Sequence, residues 1–131
     1  MLIVTSVVAS VLTLIFVKLS FAVIGLRRKN QVSLGSGGHD NLERAIRAQG
    51  NFSEYVPLAL ILMACLELNA APWWLVAIPG ATLIIGRLYH SKGIQETTEF
   101  KNRVRGMKLT FNSLITLVVL NLAWTLYTLV S

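Results

Sequence analysis

The chain has 131 residues, of which 54% are hydrophobic and 14% charged, with 12 basic against 6 acidic side chains. An ordinary soluble domain carries about 25% charged residues. A mean hydropathy of +0.64 exceeds what a single core of this size can bury, so lipid must take the remainder. The same composition excludes a disordered chain, a collagen-like fibre and a disulfide scaffold. The net charge of +6 lies between apolar runs, without the aromatic interleaving that stacks bases. It points to a membrane surface or an anionic ligand, not to nucleic acid.

Apolar runs fall at residues 2–26, 52–68, 72–90 and 107–130, each long enough as a helix to cross about 30 Å of hydrocarbon. Backbone polar groups in lipid must be paired within the segment, and strand-like alternation is absent, so helices are expected. With their flanks, the spans read as 2–26, 41–69, 72–92 and 100–130, one four-helix membrane domain over residues 1–131. The first run lacks a positive n-region and stays apolar through Leu26, so it reads as a retained span and not a signal peptide. Lys18 lies near its basic end, within reach of the interface.

The first connection carries Arg27, Arg28, Lys29, Arg44 and Arg47, and opens into a flexible Gly35-Ser36-Gly37-Gly38 stretch. Asp40 and Glu43 read as a capping box that starts a helix near Asn41. That helix meets no breaker before Pro57. Running to Asn69, it is about 43 Å long at 1.5 Å per residue, so its first turns must protrude beyond the hydrocarbon. Cys65, the single cysteine, lies in an apolar stretch and is expected as a buried small hydrophobe. Pro72 suits the first turn of the third helix, whereas Pro57 and Pro79 predict kinks. The third connection carries Lys92, Lys101, Arg103, Arg105 and Lys108, and the second, around Glu67 to Trp74, carries no lysine or arginine. The positive-inside rule then puts both basic connections in the cytosol. Trp73, Trp74, Trp124 and Tyr127 fall at the opposite side, as an aromatic belt would.

Within the second helix, Arg47, Asn51, Glu54 and Tyr55 stand at i, i+4, i+7 and i+8, on one helical face. Ionisable residues at the edge of a span must face a bundle interior, a subunit interface or a polar cavity. Two readings are open on spacing. One is an interhelical clamp, such as Glu54 with Arg87. The other is a site for a ligand with carboxylates, an ammonium and amides, which arginine, glutamate and asparagine pair respectively. Further clusters are Arg87-Leu88-Tyr89-His90 and Asn102-Arg103-Val104-Arg105-Gly106-Met107. No metal-ligand spacing, dinucleotide loop, phosphate loop or serine-based triad occurs.

The stretch Glu43-Arg44-x-x-Arg47-Ala48-Gln49-x-Asn51-x-Ser53-Glu54-Tyr55-x-Pro57 resembles the second-helix signature of the MAPEG family, the membrane-associated proteins in eicosanoid and glutathione metabolism. Arg87-Leu88-Tyr89-His90 and Asn102-Arg103 are similar to its third- and fourth-helix signatures, and the short chain looks most like small bacterial microsomal glutathione transferase-like members. The resemblance covers the whole chain. It implies an all-α, four-transmembrane-helix bundle assembled as a homotrimer, integral to a bacterial inner membrane, with glutathione as co-substrate between neighbouring subunits near the cytosolic face. The glutathione contacts it implies are Arg27, Arg47, Gln49, Asn51, Glu54, Tyr55, Arg87 and His90, and Arg103 is the implied stabiliser of the thiolate. The second substrate is a hydrophobic electrophile or lipid hydroperoxide arriving through the membrane, and no metal is implied. The chain departs from the family pattern at Ile94, where a tyrosine is expected, and Arg105 lies two residues from Arg103. A non-catalytic lipid-binding or scaffold protein is the alternative on the same fold. A small multidrug transporter subunit also has four spans, but its acidic residue in the first span is missing here.

Overall fold

The computed structural model describes residues 1–95 and 100–130, and among them all the regular secondary structure is α-helical. The helices are α1 (Ile3–Asn30), α2 (Asp40–Leu68), α3 (Trp73–Gln95) and α4 (Phe100–Val130). α2 and α3 pack on each other, α1 and α4 each pack on both, and α1 and α4 do not meet among the described residues.

Each terminus has a local cause. α1 runs past its apolar stretch because Arg27, Arg28 and Lys29 complement the negative end of the helix dipole. It stops at Gln31, which turns left-handed (φ 55°) while Gln31 N and Val32 N donate to the carbonyls of Arg28 and Arg27. At the other end of α1, no local side chain caps the helix. Glu67, from the end of α2, does so instead. Its carboxylate accepts from Val4 N and Thr5 N at 2.8 Å and from Thr5 Oγ1 at 2.7 Å.

The expected capping box is not formed. α2 begins one residue earlier, with His39 as its cap residue and no side-chain capping bond, so Asp40 and Glu43 lie inside the first turn. There they favour the helix through its dipole instead, while Asn41 Oδ1 accepts from Leu42 N at 2.8 Å. α3 starts at Trp73, just after Pro72, and α2 and α3 continue through Pro57 and Pro79. Cys65 is exposed on α2, contrary to the buried position expected from its apolar neighbours. In a helix flanked by lipid, apolar sequence does not distinguish inward from outward faces.

Ala48, Phe52, Val56, Ala59, Met63 and Leu66 form the inner stripe of α2, at spacings of three and four, against Val8, Leu12 and Leu19 of α1, Val76 and Leu83 of α3, and Leu117 of α4. Lipid tails are as apolar as these side chains, so burial alone does not hold such helices together. Close approach and interhelical hydrogen bonds do. A Cβ on Gly80 would lie 2.8 Å from Met63 Cε and 2.9 Å from Val8 Cγ2. Ser113 Oγ donates to the Pro79 carbonyl at 2.7 Å, and Asn121 Nδ2 donates to the carbonyls of Leu62 and Leu117 at 3.0 and 2.8 Å.

By length and composition, α1, α2 and α4 are apolar enough to cross a membrane. α3 is not among them. Its 23 residues include two tryptophans, Pro79, three glycines, Arg87 and His90, which dilute its hydropathy. Those last two residues are nonetheless buried inside the bundle, at 0% and 1% exposure.

Candidate functional site

The polar centre lies where the N-terminal half of α2 meets the C-terminal half of α3. Arg87 Nη2 donates to Asn51 Oδ1 at 2.8 Å and stands 3.1 Å from His90 Nδ1. A guanidinium has donors only, so Nδ1 accepts and the imidazole proton sits on Nε2. Below, the guanidinium carbon is 5.5 Å from the centre of the Phe52 ring, a cation–π contact that partly offsets its desolvation. Arg87 Nε and Nη1 are buried with no hydrogen-bond partner among the described residues.

Glu54 does not clamp Arg87. It pairs with Arg47 of its own helix at 3.8 Å, and the two side chains are 54% and 61% exposed. Seven residues on one helix is two turns, so both reach out on the same face. Tyr55 continues that face towards α4, where its ring meets Phe111 edge-on at 5.4 Å between centroids.

The fourth helix is pressed against this centre through glycines. A Cβ on Gly106 would lie 2.4 Å from His90 N, and one on Gly93 would lie 2.4 Å from Arg103 N. A Cβ on Gly86 would meet the Gly106 carbonyl oxygen and Leu109 Cβ at 3.0 Å. These contacts set the first turns of α4 alongside the end of α3. Both Arg103 and Arg105 have exposed side chains, but the backbone of Arg103 is the one packed on Gly93.

Asn51, Arg87 and His90 are thus joined by hydrogen bonds, with Arg47, Glu54 and Tyr55 on the adjoining face and Arg103 at the neighbouring helix start. Two residues of the expected set stand apart. Gln49 points the other way, donating from Nε2 to Ser20 Oγ of α1 at 3.0 Å, because position 49 lies about 200° around the helix from position 47. Arg27 Nη1 donates to the carbonyls of Gly35, Ser33 and Val32 at 2.9, 3.2 and 3.5 Å, fastening the loop after its own helix. The side chain of Ile94 lies outside the described residues. Phe52 and the three glycines were not marked out by the sequence. Position 52 reads only as one more core residue, and a glycine in an apolar helix carries no sign of which helix it will touch.

Such a centre offers guanidinium and amide donors together with one exposed carboxylate, on a helix apolar enough to cross a membrane. It defines a helical membrane protein with a polar site at the level where α2, α3 and α4 converge. The MAPEG family model matches residues 5–123, and the chain belongs to that family. It is also 40% identical over 119 residues to inner membrane protein YecN of Escherichia coli K12, covering 91% of this chain and 90% of that protein. The YecN protein of Escherichia coli O6:H1 matches to the same extent.

Proposed function

We propose that the protein is a glutathione transferase, with peroxidase activity towards lipid hydroperoxides as a variant of the same chemistry. It would work as a homotrimer of four-span subunits in the bacterial inner membrane, with its two basic connections in the cytosol. The location accords with the name of its E. coli relative. The observation that carries the reading is the uncovered Arg47–Glu54 pair on α2. Charges on a membrane-crossing helix that their own subunit leaves open call for a polar ligand or a neighbouring subunit. A tripeptide with two carboxylates, one ammonium and two amides supplies the complementary groups. Arg47 takes a carboxylate, Glu54 the ammonium, and Asn51 a peptide group.

Arg103 is the residue for the thiol. An unperturbed thiol has a pKa near 8.5 and is only a few per cent ionised at pH 7. A guanidinium beside it favours the thiolate, and a shift of about two units corresponds to roughly 2.7 kcal/mol. Arginine stays protonated, so its role is electrostatic and the proton leaves to water. The thiolate sulfur attacks an electrophilic carbon, the C–S bond forms, and the leaving group departs with its electron pair. With a hydroperoxide, sulfur attacks the terminal oxygen and releases the alcohol. A second glutathione then reduces the sulfenic acid to the disulfide and water.

The reading is tested by equilibrium binding of glutathione to the detergent-solubilised protein, followed by turnover of an activated aryl halide. Saturable binding and conjugation are expected. Absence of binding would return the Arg47–Glu54 face to subunit packing and leave a lipid-binding or scaffold role.

A further inference from the structure

A fully buried arginine that meets no carboxylate among the described residues is costly, and Arg87 leaves Nε and Nη1 unpartnered as well. What the guanidinium does accomplish is local. One nitrogen serves two acceptors at once, Asn51 Oδ1 and His90 Nδ1.

Each contact removes an ambiguity. An amide can present either its oxygen or its nitrogen. With Oδ1 held by Arg87, Asn51 Nδ2 is the end left for anything on the α2 face. A neutral imidazole can carry its proton on either nitrogen. With Nδ1 accepting, the remaining ring nitrogen is the donor. Arg87 itself cannot touch a ligand at Nε or Nη1, because both are buried.

We infer that Arg87 is a positioning residue. Its single shared nitrogen fixes the buried His90 in one tautomer and turns the Asn51 amide so that its donor end faces outward, and the site there accepts a carbonyl or carboxylate oxygen and rejects a donor. The inference rests on the glutathione reading for the identity of the ligand, but not for the state of His90.

The test uses Arg87→Met, which keeps volume and removes the donors, and Arg87→Lys, which keeps the charge and a donor. Both are made in the full chain in micelles. A His39→Gln background leaves one imidazole, since the chain has two histidines. Nitrogen-15 spectra of the unsubstituted Arg87 protein should show His90 locked with its proton on Nε2. Arg87→Met should release the ring into a tautomer mixture and weaken glutathione binding about tenfold, the worth of one well-oriented hydrogen bond. Arg87→Lys should recover most of the tautomer preference.

A mixed tautomer before substitution, or an unaltered one in Arg87→Met, overturns the inference. So does an unchanged glutathione affinity in Arg87→Met when the parent protein binds. If the parent binds no glutathione, the functional reading fails, and the tautomer comparison alone decides the role of Arg87. Should Arg87→Met not fold, Arg87→Lys is decided by the same spectra. A histidine as free as in a short peptide would then overturn the assignment.

Discussion

Gly106 of α4 lies so close to His90 of α3 that a Cβ at position 106 would fall 2.4 Å from the His90 backbone nitrogen and 2.6 Å from its Cα. Both obstructing atoms are backbone, so no rotamer change relieves them. Alanine in a helix is favoured over glycine by about 1 kcal/mol, but overpacking of this kind typically costs about 1–3 kcal/mol. Gly106→Ala should therefore lower the unfolding free energy by up to about 2 kcal/mol net, and it should weaken any ligand that depends on His90. Gly25 has nothing within 4 Å of its virtual Cβ, and Gly25→Ala is expected to stabilise by about 0.5–1 kcal/mol. Thermal unfolding in detergent compares the two. Equal behaviour would contradict the close α3–α4 contact.

The sequence discloses the helical class, the polar face of α2 and the family, because each rests on a local pattern. Arg47, Asn51, Glu54 and Tyr55 fall on one face by helical periodicity alone. Partner choice was not legible in the same way. Glu54 was as free by spacing to reach Arg87 as Arg47, and only the packing of α3 decides that Arg87 turns to Asn51 and His90. Glu67 read as a marker of the second connection, although it caps a helix 62 residues earlier in the chain. The burial expected for Cys65 fails for a related reason. Next to lipid, neither apolar context nor membership of a motif says which way a side chain points.

The Glu67 cap gives a prediction of its own. Glu67→Ala removes three accepted hydrogen bonds from the first turn of α1, and loss of a capping side chain costs about 0.5–2 kcal/mol. Hydrogen exchange at the amides of Val4 and Thr5 should accelerate by about two- to thirtyfold, while glutathione affinity stays unchanged. Exchange that stays slow would mean that α1 is held at this end by packing alone.

Arg47→Ala and Glu54→Ala should each weaken glutathione binding without loss of fold. Both side chains are more than half exposed in the single chain, so their mutual attraction adds little to stability. In a filled site they would be desolvated, and removing one partner of a desolvated charge pair typically costs about 2–5 kcal/mol. An affinity loss of at least about tenfold is expected in each. Calorimetry that finds the parental affinity in both variants would assign this face to subunit packing.

Assembly can be read independently. The α2 face is left open by its own subunit, and the proposed homotrimer closes it. Native mass measurement in detergent should give three chains, and Glu54→Ala should retain that mass if the face serves the ligand. A monomer, or a dimer, would sink the trimeric site.

Arg103 separates an enzyme from a binder. If its guanidinium holds the thiolate, Arg103→Leu should leave glutathione binding largely intact, because Arg47, Asn51 and Glu54 grip the rest of the tripeptide. The thiolate absorbance at neutral pH should vanish, and the thiol should titrate near its ordinary value of about 8.5. Aryl halide turnover should drop by about two orders of magnitude if two units of pKa are lost and the thiolate fraction limits the rate. Arg105→Leu is the control. Positions 103 and 105 are about 200° apart on α4, so the two side chains leave the helix on different faces. Arg105→Leu should therefore keep both thiolate and turnover. The reverse pattern, with the thiolate lost in Arg105→Leu and kept in Arg103→Leu, would exchange the two arginines. A thiolate signal that survives both substitutions would remove arginine from the chemistry. Glutathione bound with no thiolate signal in the parent protein would make the site a binding site without catalysis.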